Sequence, residues 1–263
     1  MSEALALPAS LQKAEKLHEE QTAEGCYTIY QSPTFGRLIT HNQQVVVSEQ
    51  DGFFYHEMMA HPIIFTHHHP QKIAVIGHDT GVAAQVLKHV AVKELTLVAP
   101  PSCLNELLTQ YLPQFQAADD NRITRHTGDL TSWINQTPDE SFDIIIVTQP
   151  GLASGYQRLL RENGLFVQPY QASWLYQEDW LATNQAMQQA GAGEWHLFHF
   201  PQPSYATGWR FAIMATKSGH FKRVREKDIF NRNFATRYYN LDVHKASLAL
   251  PEFIRHVLVP DIN

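Results

Sequence analysis

Ser48-Glu-Gln-Asp-Gly-Phe-Phe-Tyr-His-Glu-Met-Met-Ala-His61, followed by Lys72-Ile-Ala-Val-Ile76 and the turn Gly77-His78-Asp79-Thr80-Gly81, is the stretch on which the fold turns. The run from Lys72 is apolar and strand-like, and glycines in the turn after it let the backbone approach a ligand closely. From there on, strand and helix patterns alternate. Strands are expected over Ile73–Ile76, Leu95–Val98, Ile123–His126, Ile144–Val147, Leu165–Gln168, Trp195–Phe200 and Phe211–Thr216. Helices are expected over Val82–His89, Cys103–Tyr111, Tyr156–Arg161 and Gln177–Gln189.

This alternation with apolar strands argues for an α/β, Rossmann-like sheet of the class I methyltransferase type, parallel and doubly wound. Upstream the pattern differs. Ser10–Gln21 reads as a short amphipathic helix with Leu11, Ala14 and Leu17 on one face. Cys26–Ile39 and Gln43–Ser48 read as strands, with turns at Ser32-Pro33 and around His41-Asn42. A small N-terminal antiparallel β domain is therefore expected ahead of the α/β part. The boundary falls near His67–Gln71, giving an N-terminal helix and β-sheet domain over 1–70 and a nucleoside-binding domain with a C-terminal helical segment over 71–263.

Composition narrows the class. The chain has 263 residues, 44% of them hydrophobic and 17% charged, with a net charge of −6. That suits a globular protein with one large domain and a small appendage. The densest basic cluster, Lys222-Arg223-Val-Arg225-Glu-Lys227, is short and interrupted by an acid, so no nucleic-acid partner is expected. No apolar run reaches the length of a membrane span, and no signal pattern opens the chain. Two cysteines, Cys26 and Cys103, fit no zinc spacing and no disulfide framework, which points to a cytoplasmic location. There are 15 histidines, yet three consecutive residues, His67-His68-His69, cannot all face one ion. No metal site is expected. Trp133, Trp174 and Trp195 are assigned to the core.

In open α/β sheets ligands bind at the carboxyl ends of the strands. Four segments fall there: Gly77–Gly81, Ala99-Pro100, Gly128-Asp129 and Thr148-Gln149-Pro150. The order of these parts, with Tyr55-His56-Glu57-Met58 upstream, resembles the spermidine synthases, the polyamine aminopropyltransferases. Arg237-Tyr-Tyr-Asn240, Asp242-Val-His244-Lys-Ala246 and Leu250-Pro251-Glu-Phe253 are similar to that family's terminal segment, and Pro201–Trp209 resembles one of its loops. The resemblance spans residues 25–258.

It implies a reaction in which decarboxylated S-adenosylmethionine gives its aminopropyl group to putrescine and leaves methylthioadenosine, with no tightly bound cofactor. A neutral amine attacks a carbon beside a sulfonium, so a base must keep the amine deprotonated. Carried over by position, Tyr55 and His56 face the substrates. Gly77, His78, Asp79 and Gly81 form the donor turn, and Asp79 meets the aminopropyl end. Asp129 accepts from the adenine amino group, and Tyr205 lies on the polyamine side. The resemblance also implies a homodimer, in keeping with the aromatic Phe53-Phe54-Tyr55.

The chain departs from the family at defined places. Ala99 stands where a glutamate grips the ribose hydroxyls, and Val46 where a glutamine contacts the donor. Thr148-Gln149-Pro150 stands where the family has Asp-Ser-x-Asp-Pro, so the base position carries Thr148 and both carboxylates are gone. The following loop shortens to Gly151–Gly155, and His78 takes a glycine position. Losing a charge-assisted hydrogen bond costs roughly 1.5–3 kcal/mol, and losing a general base costs about 10²–10⁴-fold in rate. The expectation is weak or altered aminopropyl transfer. The alternatives are an inactive nucleoside- or polyamine-binding homologue and another S-adenosylmethionine-dependent transferase, since fold does not set function. Glu49, Asp51 and Glu57 are candidates for replacement negative charge.

Overall fold

The computed structural model describes residues 13–148, 156–170 and 192–258, together with 182, 185 and 187. The expected Gln177–Gln189 helix, the Gly151–Gly155 loop, Gln149, Pro150 and Trp174 lie wholly or mostly outside them. A four-stranded antiparallel sheet comes first, in the order β1 (Glu15–Thr22), β2 (Gly25–Ser32), β3 (Gly36–His41), β4 (Gln44–Ser48).

The strand β1 corrects the helix expected over Ser10–Gln21. Its residues pair with β2 from Glu15↔Gln31 to Thr22↔Gly25. Helix propensity in so short a segment is worth only tenths of a kcal/mol per residue, and the free edge of β2 offers a row of backbone partners. The charges that suggested a solvated helix face instead protect an exposed sheet edge. The β3–β4 hairpin turns on Asn42 and Gln43, at φ 49° and 68°, the left-handed pair that a two-residue turn needs.

Helix α1 (Gly52–Thr66) follows and is buried almost throughout. It has no polar face because it is covered on all sides. The second sheet has seven strands: β5 (Lys72–Ile76), β6 (Glu94–Ala99), β7 (Ile123–Thr127), β8 (Phe142–Val147), β9 (Leu160–Tyr170), β10 (Trp195–Pro201) and β11 (Trp209–Thr216). Their order is β10-β11-β9-β8-β5-β6-β7. The five strands β5 to β9 run parallel, and β11 and β10 add antiparallel.

Alternate residues face opposite layers. Ile73, Val75, Ile144 and Ile146 pack with α1, whereas Ala74, Ile76, Ile145 and Val147 pack on the other face. Connecting helices are α2 (Val82–Val86), α3 (Cys103–Tyr111), α4 (Leu130–Gln136) and α5 (Tyr156–Leu159). Helix α5 runs directly into β9, so Leu160 and Arg161 belong to the strand and not to the expected helix. The C-terminal helices are α6 (Glu226–Phe230), α7 (Leu241–Ser247) and α8 (Glu252–Leu258). The chain goes outward from β5 to β6 and β7, then returns to place β8 on the other side of β5. The ends of β5 and β8 thus form the switch point where such sheets bind ligands.

Candidate functional site

At the end of β5, Gly77 and Gly81 adopt φ of 111° and 135°, a region closed to most L side chains. Between them Asp79 turns back on the chain. Its Oδ1 accepts the N–H of Gly81 and of Ala83, each at 3.0 Å, and so holds the first turn of α2. Burial pushes the Asp79 carboxyl up, against the pull of these N–H groups. Gly81 is also a packing requirement. A Cβ there would lie 2.7 Å from the His56 ring.

His56 is buried behind this turn, against Phe115 at 4.7 Å between ring centroids. It is not among the residues lining the cleft. Burial lowers its pKa to about 3, and its Nε2 has no hydrogen-bond partner among the described residues. Ala99 ends β6, and its carbonyl accepts from Gly128 N–H at 3.1 Å. Asp129 is exposed and caps α4, its Oδ2 accepting from Ser132 N–H at 2.7 Å. That bond holds its carboxyl below the usual range.

A cleft of about 300 Å³ opens between the N-terminal sheet and the switch point. Tyr27, Val46 and the exposed Glu24 line one wall, and His78, Thr80 and Thr148 line another. Tyr55, Tyr205 and Arg210 close it. His78 faces in, with Nδ1 at 3.4 Å from Asn105 Oδ1, and burial lowers its pKa. Thr80 Oγ1 is buried with no partner among the described residues.

Tyr55 donates its hydroxyl to the Thr148 carbonyl at 3.4 Å, and burial pushes its pKa up to about 12. The Thr148 hydroxyl donates to the Ile76 carbonyl at 3.3 Å. Tyr55, His78, Thr148 and Tyr205, singled out from sequence, therefore meet in one cleft, whereas Asp79, Ala99 and Asp129 sit on the strand ends beside it. Arg210 was not singled out. It is buried, with its guanidinium over the rings of both Tyr55 and Tyr205. An arginine directly before a strand's apolar run was the only available signal.

The three candidate replacement acids are engaged elsewhere. Glu57 accepts from the N–H groups of Arg237, Tyr238 and Tyr239 at 2.8, 2.9 and 2.8 Å, tying α1 to the C-terminal segment. Asp51 accepts from the Ser48 hydroxyl at 2.6 Å and from Ser204 N–H and Oγ at 2.6 and 2.7 Å. Glu49 accepts from Arg37 N–H at 2.9 Å. Phe53 and Phe54 also act within the chain, against Arg237 and Tyr238. His68 and His69 are exposed and His67 is buried, and among the described residues no group of three His, Cys, Asp or Glu side chains is placed to hold a metal ion. No helix among the described residues is long and apolar enough to cross a membrane.

A family model for the spermine/spermidine synthase domain matches residues 52–227. A polyamine aminopropyltransferase of Nitrosococcus oceani is 39% identical over 264 aligned positions, which cover 95% of this chain and 92% of that protein. One of Alkalilimnicola ehrlichii is 35% identical at the same coverage. The fold is shared with the crystal structure of spermidine synthase from Thermotoga maritima, at a TM-score of 0.82 and 24% identity, covering 93% of this chain and 88% of that one. A spermidine synthase structure in complex with the transition state analogue AdoDATO matches equally well, at a TM-score of 0.82. Sequence and fold agree, and the chain belongs to the spermine/spermidine synthase family.

Proposed function

We propose that this chain is a spermidine synthase-like aminopropyltransferase homologue whose acceptor end supports spermidine synthesis weakly or not at all. One observation carries the reading. The cleft that holds Thr148, at the position the family gives to its base, also holds Arg210, and Glu24 is the only acid among the described lining residues. A threonine hydroxyl does not take a proton from an ammonium near neutral pH, and a general base is worth about 10²–10⁴-fold in rate.

On the donor side the turn around Asp79 and the strand end at Asp129 support a retained site for methylthioadenosine or decarboxylated S-adenosylmethionine. Its affinity is low, because Ala99 and Val46 offer the ribose and the donor no hydrogen bond. A second reading, a nucleoside-binding homologue without turnover, is favoured by the engagement of Glu49, Asp51 and Glu57 in backbone contacts. Assembly as a homodimer is part of the proposal on family grounds alone, since Phe53 and Phe54 already pack within the chain. Light scattering at micromolar concentration tests it, and a monomer throughout rejects it.

The direct test of the function is spermidine formation from putrescine and decarboxylated S-adenosylmethionine. Turnover at ordinary enzyme rates by the unaltered chain rejects the argument from the missing base. Silence, with methylthioadenosine still bound, moves the reading to the second form.

A further inference from the structure

Arg210 is only 8% exposed. It enters β11 directly after the loop that carries Tyr205, and pairs across the ladder with Phe200. Its guanidinium lies 4.7 Å from the ring centroid of Tyr55 and 4.4 Å from that of Tyr205. Nε donates to Gln202 Oε1 at 2.8 Å. Gln202 is buried and fixed in turn, its N–H donating to the Gly208 carbonyl at 2.8 Å. Two rings and one hydrogen bond thus set the plane of the fork.

Among the described residues, no carboxylate pairs with this cation, and its terminal nitrogens make no hydrogen bond. The neighbouring acids are engaged: Asp51 with Ser48 and Ser204, Asp79 with the turn of α2. Arginine stays charged at any ordinary pH, and a buried charge without a counter-charge is costly. A cationic ligand end placed here would add like charge. A carboxylate would supply the missing partner, and the planar fork binds one through two parallel hydrogen bonds.

We infer that the acceptor end of this cleft is a carboxylate-binding subsite, with Arg210 reading the anion and Tyr55 and Tyr205 orienting it. The carboxylate can belong to an amino acid in the acceptor position, or to S-adenosylmethionine that has kept its own carboxylate on the donor side. The subsite is defined by binding, so it stands or falls separately from turnover.

Titration calorimetry on two matched pairs tests it. The first pair is 4-aminobutanoate against putrescine, measured with methylthioadenosine present. The second is S-adenosylmethionine against its decarboxylated form. The carboxylate-bearing member of one pair should bind about 10- to 100-fold tighter to the unaltered chain, and Arg210→Ser should abolish that preference. The pair that shows it names the source. If Arg210→Ser does not fold, Arg210→Gln, which retains a donor toward Gln202, is judged by the same criterion. Equal or tighter binding of the cationic member in both pairs overturns the inference. So does absence of binding by all four compounds, or a preference that survives removal of Arg210.

Discussion

Around the β5–α2 turn and α1, the carboxylates Asp51, Glu57 and Asp79 all hold backbone. Glu57 gathers three N–H groups of the C-terminal segment, Asp79 holds the start of α2, and Asp51 ties the loop before α1 to Ser204. In the cleft the arrangement is reversed: no buried carboxylate is present among the described lining residues, and one guanidinium lies over the rings of two tyrosines. The acids that remain are those whose loss would unfold local structure. Ala99 and Thr148, the positions expected to depart from the family pattern, support no comparable set of backbone contacts.

Glu57 holds the largest share of these backbone contacts. Glu57→Ala leaves three N–H groups without their acceptor, that of Tyr239 buried, at roughly 1.5–3 kcal/mol for each bond to a charged group. The expected loss is about 4 kcal/mol or more in denaturant unfolding, with Glu57→Gln intermediate. A variant that remains stable but loses ligand would place Glu57 in the site instead.

The acceptor end can be rebuilt toward the family's charge. Thr148→Asp with Arg210→Ser should form spermidine at least about 10²-fold faster than the unaltered chain. It should also exceed Thr148→Asp alone, because the arginine would otherwise compete for the new carboxylate. Equal rates for the single and double variants would show that Arg210 does not oppose the diamine.

Buried histidines sharpen the scaffold side. His56 and His89 are each lowered from 6.5 to about 3, mainly by burial, and His61 is lowered well below its ordinary value. The unfolded chain takes up protons below about pH 6.5, whereas the folded chain resists until about pH 3. These groups therefore contribute stability that is present above pH 6.5 and lost as pH falls toward 3. Melting temperature should fall across that window, and His89→Phe should flatten the fall. A melting temperature independent of pH there would contradict the burial of neutral imidazoles.

Two smaller effects separate geometry from binding. Gly81→Ala forces a methyl group to within 2.7 Å of His56 at φ 135°, and should cost about 1–3 kcal/mol. His56→Ala in the same chain should recover the steric part only. Asp129→Ala removes the cap of α4, worth about 1 kcal/mol, while Asp129→Asn keeps it. If the asparagine variant is stable yet binds methylthioadenosine at least about 10-fold more weakly, Asp129 touches the nucleoside. Unchanged affinity would leave it a cap alone.

The amino-acid sequence by itself determined the βαβα order from Lys72 onward, because strand runs such as Lys72–Ile76 and Phe142–Val147 are apolar enough to announce burial; the turn chemistry around Asn42 gave the β3–β4 turn, and the resemblance at Tyr55–Met58 and Arg237–Phe253 gave the family. It also singled out Tyr55, His78, Thr148 and Tyr205, which line one cleft. It misplaced Glu15–Thr22, whose composition suits a helix, because pairing with β2 outweighs a local preference of tenths of a kcal/mol per residue. Only the tertiary structure decided which charges are free. Glu57 lies 180 residues before its partner Arg237, and Asp51 lies 153 before Ser204, so their engagement leaves no local trace. Arg210 likewise reads as the start of a strand until folding brings Tyr55 and Tyr205 against its guanidinium. Local patterns record what each segment does to water, whereas the charge of a site is a sum over segments that only the packed chain brings together.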